Sequence, residues 1–196
     1  MTLLSHKIDS YLMRREEEKS GRVRSGKWSP SSFGKCYRAQ YWNRMNEGKS
    51  NPLEPKVLRV FQVGNIIHQF IQEILKSEYQ CEVLVKTDDV VGYADLVGSI
   101  EVADIKSVRS HRFKLMRDKK KKYDFAKEKI ENILQLTFYG KTLGKEKGRL
   151  VFIDKDSIDI IEFVFDIKDF EGALQEELDV LNGFWNKDKL PPPCPR

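Results

Sequence analysis

The stretch VVGYADLVGSIEVADIKSV, residues 90–108, has the composition of strands but carries Asp95, Asp104 and Lys106 among Val, Ile, Ala and Leu. Charged side chains in an apolar strand are costly unless they pair with one another or bind an ion. Gly98-Ser99 reads as a two-residue hairpin loop, which pairs Val97 with Ile100. In that register Asp95 lies opposite Val102, and Asp104 is its diagonal neighbour. Side chains alternate along a strand, so Asp95, Val102, Asp104 and Lys106 share one face. Diagonal neighbours about 7–8 Å apart at the backbone can reach a shared ligand. One cation between the two carboxylates would remove their mutual repulsion. The plain alternative is an Asp95–Lys106 ion pair at a strand edge. Glu101 has the opposite parity and stays outside the group.

Two helical segments offer further candidates. VGNIIH, residues 63–68, sets His68 one turn after Gly64 on the same helix face. A glycine inside a helix costs about 1 kcal/mol against alanine. It makes sense where something must approach the backbone closely beside His68. A helical histidine by itself is equally a core or surface residue. Gln135 and Tyr139 in QLTFY stand at i and i+4, stacked on one face. A packed surface tyrosine would satisfy that spacing too.

Elements must hold these groups in place. Residues 2–19 read as a helix ending in RREEEK, followed by the basic loop SGRVRSGKWSP. Ser29 as N-cap and Pro30 at the first helical position start a second helix, running to about Met45. After the connector NEGKSNPLEP, a long helix runs from about Pro55 to Ser77. Its Val60, Ile67, Phe70, Ile71, Ile74 and Leu75 form a buried stripe. CEVLVKT, VVGYADLV and IEVADIKSV are three strands. The basic stretch HRFKLMRDKKKKYDFAKEK leads into the helix IENILQLTFYGKTL, then the strand pair GRLVFIDKDSIDIIEFVF and the amphipathic helix FEGALQEELDVLNGFW. This order predicts one mixed α/β (α+β) domain over residues 1–196. Residues 1–54 would be its N-terminal helical part, 55–190 its core and 191–196 a Pro-rich tail.

Composition sets the outer bounds. At 196 residues the chain can bury a full core. Apolar residues at 40% exclude wholesale disorder. No apolar run approaches the roughly 20 residues that span a bilayer, and the first residues are too polar and acidic for a signal or transit peptide. The expected location is cytoplasmic. A formal charge of +5 permits a nucleic-acid partner without requiring one. Three separated cysteines, Cys36, Cys81 and Cys194, speak against a disulfide framework. Cys81, opening a strand, reads as a small buried hydrophobe.

Taken in chain order, Gly64 to His68, Gly92-Tyr-Ala-Asp95, Asp104-Ile-Lys106 and Gln135 to Tyr139 resemble four motifs: G-x-x-x-H, G-x-x-D, (D/E)-x-K and Q-x-x-x-Y. These belong to the RecB-like branch of the PD-(D/E)XK nucleases, which includes CRISPR-associated RecB-like exonucleases and the mitochondrial genome-maintenance exonuclease. Each motif is short and common, but the ordered set is specific, and it covers about residues 29–165. The resemblance implies a restriction-endonuclease-like core, a central mixed sheet flanked by helices, with an N-terminal helical extension. It implies a Mg²⁺- or Mn²⁺-dependent DNA exonuclease preferring single-stranded ends. Its metal ligands would be His68, Asp95, Asp104 and the Ile105 carbonyl. Lys106 would orient the attacking water, and Gln135 and Tyr139 would fasten the DNA backbone.

Basic residues after the second charged strand then become candidate phosphate contacts: Arg109, Arg112, Lys114, Arg117 and the run Lys119, Lys120, Lys121 and Lys122. Arg38 and Tyr37 join them more weakly. Replication, recombination or CRISPR adaptation proteins are the implied partners, and no membrane. Alternatives are an endonuclease or spacer-trimming nuclease of the same fold, or a DNA-binding subunit that does not cleave. Ser29-Pro-Ser31 through Cys36 and Arg38 also resembles the S-x-S-x-x-x-x-C-x-R segment of iron–sulfur members. A cluster normally takes four thiolates and this chain offers three. The expectation is therefore no cluster in this chain, with Cys36 and Cys194 as unlinked remnants.

Overall fold

The computed structural model describes residues 3–20, 25–47, 51, 53–118 and 123–194. Five strands form one sheet in chain order: β1 (Gln80–Lys86), β2 (Val91–Val97), β3 (Glu101–Val108), β4 (Lys147–Asp154) and β5 (Ile160–Asp166). Neighbours are antiparallel except β3 and β4, which run parallel. A parallel step needs a crossover. Three helices supply it: α4 (Ser110–Arg117), α5 (Phe125–Glu128) and α6 (Ile130–Leu143).

Strand alternation then sorts the core into two layers. Val102, Leu150 and Phe152 pack with Ile133 and Leu136 of α6 and with Leu174 and Leu181 of α7 (Glu171–Asn186). Ala103, Ile105, Val151 and Ile153 face the other way, against Ile67, Ile71 and Leu75 of α3 (Pro55–Leu75). α6 buries every residue from Ile133 to Gly140, as suits a helix wedged between the sheet and α7. On the outside of α3 lies α1 (Leu4–Ser20), fastened by an Arg59–Asp9 ion pair at 2.9 Å. Among the described residues no helix is long and apolar enough to cross a membrane.

Several expectations need correction. The helix from Ser29 to Met45 is broken: Pro30–Ser32 form one 3-10 turn and α2 covers only Tyr37–Arg44. Gly34 causes the break, with φ +71° and an amide that donates to Glu177 Oε1 at 2.9 Å. A side chain there would also meet the Glu131 backbone at 3.2 Å. On α3, Ile67, Ile71 and Leu75 pack against the sheet, whereas Phe70 and Ile74 are each 57% exposed. The apolar stripe is wider than the surface that meets it.

The β2–β3 turn is also longer than expected. Val97 pairs with Val102 and Leu96 with Ala103, and the Gly98 amide donates to the Glu101 carbonyl. The register has moved by two residues, which preserves every side chain's face. Finally, Cys36 and Cys194 are joined by a disulfide, their Cα atoms 5.8 Å apart. The tail folds back over α2, where Arg38 Nε donates to the Pro191 carbonyl at 2.7 Å. Cys81 is half-buried and free.

Candidate active site

The site forms where the sheet comes apart. β2 and β3 pair only at Leu96–Ala103 and Val97–Val102. One step further the Asp95 carboxylate stands in for the ladder, its Oδ2 accepting the Ile105 amide at 2.9 Å. β1 is disturbed at the same level. Cys81 pairs with Leu96 and Val83 with Ala94, while Glu82 between them has φ +52°. Alternation slips there too, since Ala94 packs in the α6 layer and Leu96 in the α3 layer. This kink turns Asp95 towards the C-terminal half of β3.

Around it the other groups converge. His68 Nδ1 on α3 lies 3.5 Å from Asp95 Oδ2. Asp104 is 1% exposed, and its Oδ1 accepts from Lys106 Nζ at 2.8 Å and from Gln135 Nε2 at 3.3 Å. Its Oδ2 is buried with no hydrogen-bond partner. Lys106 thus pairs with Asp104 and not with Asp95, and a third of its side chain reaches solvent (33%). Two glycines permit the assembly. A Cβ on Gly92 would come within 2.6 Å of the Tyr139 hydroxyl and 2.9 Å of Pro30. One on Gly64 would sit 3.3 Å from Ser107 Oγ, beside Lys106, so the helix lies close against β3.

Electrostatics follow from burial and crowding. Burial, then the neighbouring Asp104 charge, pushes the Asp95 carboxyl up to about 7. Burial lowers the His68 imidazole, helped by Lys106, which favours the neutral form that can bind a metal. Burial alone would lower the Lys106 ammonium, but the charge and hydrogen bond of Asp104 outweigh it and the net shift is upward. Tyr139 is raised by burial and is held neutral.

His68, Asp95, Asp104, Ile105, Lys106 and Gln135 are therefore brought together, with Tyr139 buried behind them under Gly92. Arg109, Arg112 and Lys114 are exposed at the end of β3 and on α4. Lys119, Lys120, Lys121 and Lys122 lie outside the described residues. Arg38 stands apart, holding the tail and lying over the Trp42 ring at 5.8 Å.

Three residues escaped the sequence reading. Gln72 Nε2 donates to Glu82 Oε1 at 2.7 Å and lies 3.5 Å from the Asp95 carbonyl oxygen. Its i+4 spacing from His68 was a usable signal. Lys155, whose Nζ lies 3.4 Å from the Val60 carbonyl of α3, carried no signal beyond its charge. Glu82 lies within the strand segment CEVLVKT, where no spacing singled it out.

A cation fits this donor set. The unpartnered, buried Asp104 Oδ2 lacks a positive neighbour of its own, and Asp95 is held up by a like charge that a cation would offset. Among the described residues no three His, Cys, Asp or Glu side chains are gathered so that they alone could hold a metal ion. What fits is the chemistry: two carboxylates, a neutral imidazole and the Ile105 carbonyl suit Mg²⁺ or Mn²⁺.

No protein-family model matches the sequence, and no curated protein matches it. Solved structures match in fold. SSO0001 is 20% identical over 94% of this chain and 88% of that one, with a TM-score of 0.60. LHK-Exo in complex with dAMP is 18% identical over 88% of this chain and 95% of that one, with a TM-score of 0.55. LHK-Exo is an alkaline exonuclease from Laribacter hongkongensis. What these likenesses establish is architecture: the chain has a mixed α/β fold, a five-stranded mixed sheet flanked by helices, in agreement with the restriction-endonuclease-like core expected from the sequence.

Proposed function

We propose that the protein is a metal-dependent DNA exonuclease of the RecB-like branch that hydrolyses phosphodiester bonds at single-stranded ends. One observation carries the reading: the buried Asp104 carboxylate has an open oxygen, beside Asp95 and Lys106, at the place where two strands part. The motif order supports the branch. The fold shared with LHK-Exo, which binds dAMP, supports DNA as substrate.

Asp95, Asp104, His68 and the Ile105 carbonyl would hold Mg²⁺ or Mn²⁺. Bound there, the ion would polarise the scissile phosphate and acidify the attacking water. Lys106, charged and partly exposed, orients that water and offsets negative charge growing on the phosphate oxygens. Gln135, donating to Asp104 Oδ1, keeps Oδ2 turned to the ion. Tyr139 supports β2 under Gly92 and fixes the level at which a strand can lie. Arg109, Arg112, Lys114 and Lys155 give sequence-independent phosphate contacts around the end of β3.

The test is a comparison of circular and linear single-stranded DNA of one sequence, with Mg²⁺ or Mn²⁺. The linear form should be degraded and the circle spared. Equal cutting of both would make the protein an endonuclease.

A further inference from the structure

Glu82 occupies a backbone conformation that does not suit it. Its φ of +52° lies in the left-handed region, where residues other than Gly, Asn and Asp are rare. The conformation costs roughly 1–2 kcal/mol for a residue with a side chain. Strain of this kind persists where the surrounding structure requires that residue. The Glu82 carboxylate has a definite position, because Gln72 Nε2 donates to its Oε1 at 2.7 Å. The same amide lies 3.5 Å from the Asp95 carbonyl, so α3 ties Glu82 and Asp95 together across the kink. No Lys or Arg ion pair reaches Glu82 among the described residues, whereas Lys106 pairs with Asp104. Its charge is felt at Asp95, where burial and Asp104 dominate, and at His68, where burial dominates.

Glu82 thus stands opposite Asp95 in the β1–β2 register, tied to it through Gln72, and Asp95 neighbours the buried Asp104, whose Oδ2 has no partner. Of these three carboxylates, Glu82 is the exposed one. We propose that Glu82 is a further carboxylate of the metal centre, binding the water shell of the cation on its solvent side. The ligand class is a hydrated divalent cation. Asp95 and Asp104 hold it directly, and Glu82 accepts hydrogen bonds from its outer waters. This assignment rests on the metal-centre reading given above. It also explains why a glutamate stands where a glycine would be at ease.

The experiment measures Mn²⁺ binding without DNA, by electron paramagnetic resonance of the free ion, together with the melting temperature of the metal-free protein. Glu82→Gln keeps a hydrogen-bond acceptor for Gln72 and removes the charge. It should weaken Mn²⁺ binding about tenfold, the range typical for groups that act on a metal through its ligands or waters, with the metal-free melting temperature unchanged. Asp104→Asn serves as reference and should lose binding altogether. Wild-type affinity in Glu82→Gln beside lost binding in Asp104→Asn would overturn the role of Glu82 and leave the metal centre standing. Absence of Mn²⁺ binding in the wild type would bring down both. Should Glu82→Gln fail to fold, Glu82→Gly, whose backbone is free of strain, takes the same test and must show the same tenfold loss.

Discussion

β3 carries two buried acids three residues apart, and they are treated in opposite ways. Glu101 is closed off: Arg149 donates to both its oxygens, through Nε at 3.0 and 3.1 Å and Nη2 at 2.9 Å, and Tyr79 adds its hydroxyl at 2.5 Å. Arg149 is itself held by Glu162 through Nη1 at 2.8 Å. The Tyr79 phenol, bonded to that carboxylate and partly buried, is pushed up to about 12. Asp104 has Lys106 and Gln135 on one oxygen and nothing on the other. A charge used for structure is satisfied on all sides, because an unpaired buried charge destabilises the fold. Under the proposed function, Asp104 is the charge meant for chemistry, and its unpartnered oxygen is the one that would meet an ion. The difference lies in the partners and not in burial, which is nearly equal at 7% and 1% exposed.

Substitutions at the two acids should separate the two kinds of charge. The largest effect belongs to the open one: Asp104→Asn and Lys106→Ala should each lower DNA cleavage by about three orders of magnitude or more, with circular dichroism unchanged. The two should differ in metal binding. Asp104→Asn loses it, whereas Lys106→Ala spares or tightens it by removing a nearby positive charge. Wild-type cleavage in either variant removes the site.

The closed acid should show the reverse. Glu101→Gln breaks charged hydrogen bonds to Arg149 and is expected to cost about 2 kcal/mol in denaturant unfolding, with cleavage per folded molecule unchanged. Its pH dependence has a definite sign. Burial alone would raise the Glu101 carboxyl, but Arg149 and Tyr79 hold it below its ordinary value. Its contribution is therefore complete above the unfolded glutamate range and fades as pH falls through the lower folded value. The stability gap between wild type and Glu101→Gln should close over that acid window. A gap that widened with acid would contradict the pairing.

The smallest effect is predicted for Gly64→Ala. Helix propensity favours alanine by about 1 kcal/mol, and the 3.3 Å approach to Ser107 opposes it. Net stability should stay within about 1 kcal/mol by thermal melting, while the shift of α3 away from β3 lowers metal affinity through His68.

How much of this the sequence disclosed depended on the range of the forces involved. The site group was legible because alternation and helical spacing are local, and a register error of two residues left Asp95, Asp104 and Lys106 on one face. The turn itself was not legible. Gly98-Ser99 signals a tight loop, but Val97 pairs two residues further along β3 than expected, with Val102, and Tyr79 packs against Gly98. Parity put Glu101 outside the group, yet could not name Arg149, which lies 48 residues away. Phe70 and Ile74 fit a helical stripe, and only the width of the facing sheet decided that they stay exposed. The Cys36–Cys194 link joins residues 158 apart in sequence through a tail whose course no local pattern records. Glu82 was hidden for a similar reason, since its left-handed backbone arises from the kink that it shares with Asp95.

The central claim is that the open charges of β3 are where DNA is cut. Its most direct measurement is the digestion of end-labelled single-stranded DNA by wild type and Asp104→Asn, with Mn²⁺ and with a chelator. The account predicts stepwise shortening from an end by wild type with Mn²⁺, and none with chelator or with the variant. Equal digestion by wild type and Asp104→Asn, or digestion unaffected by the chelator, would contradict it.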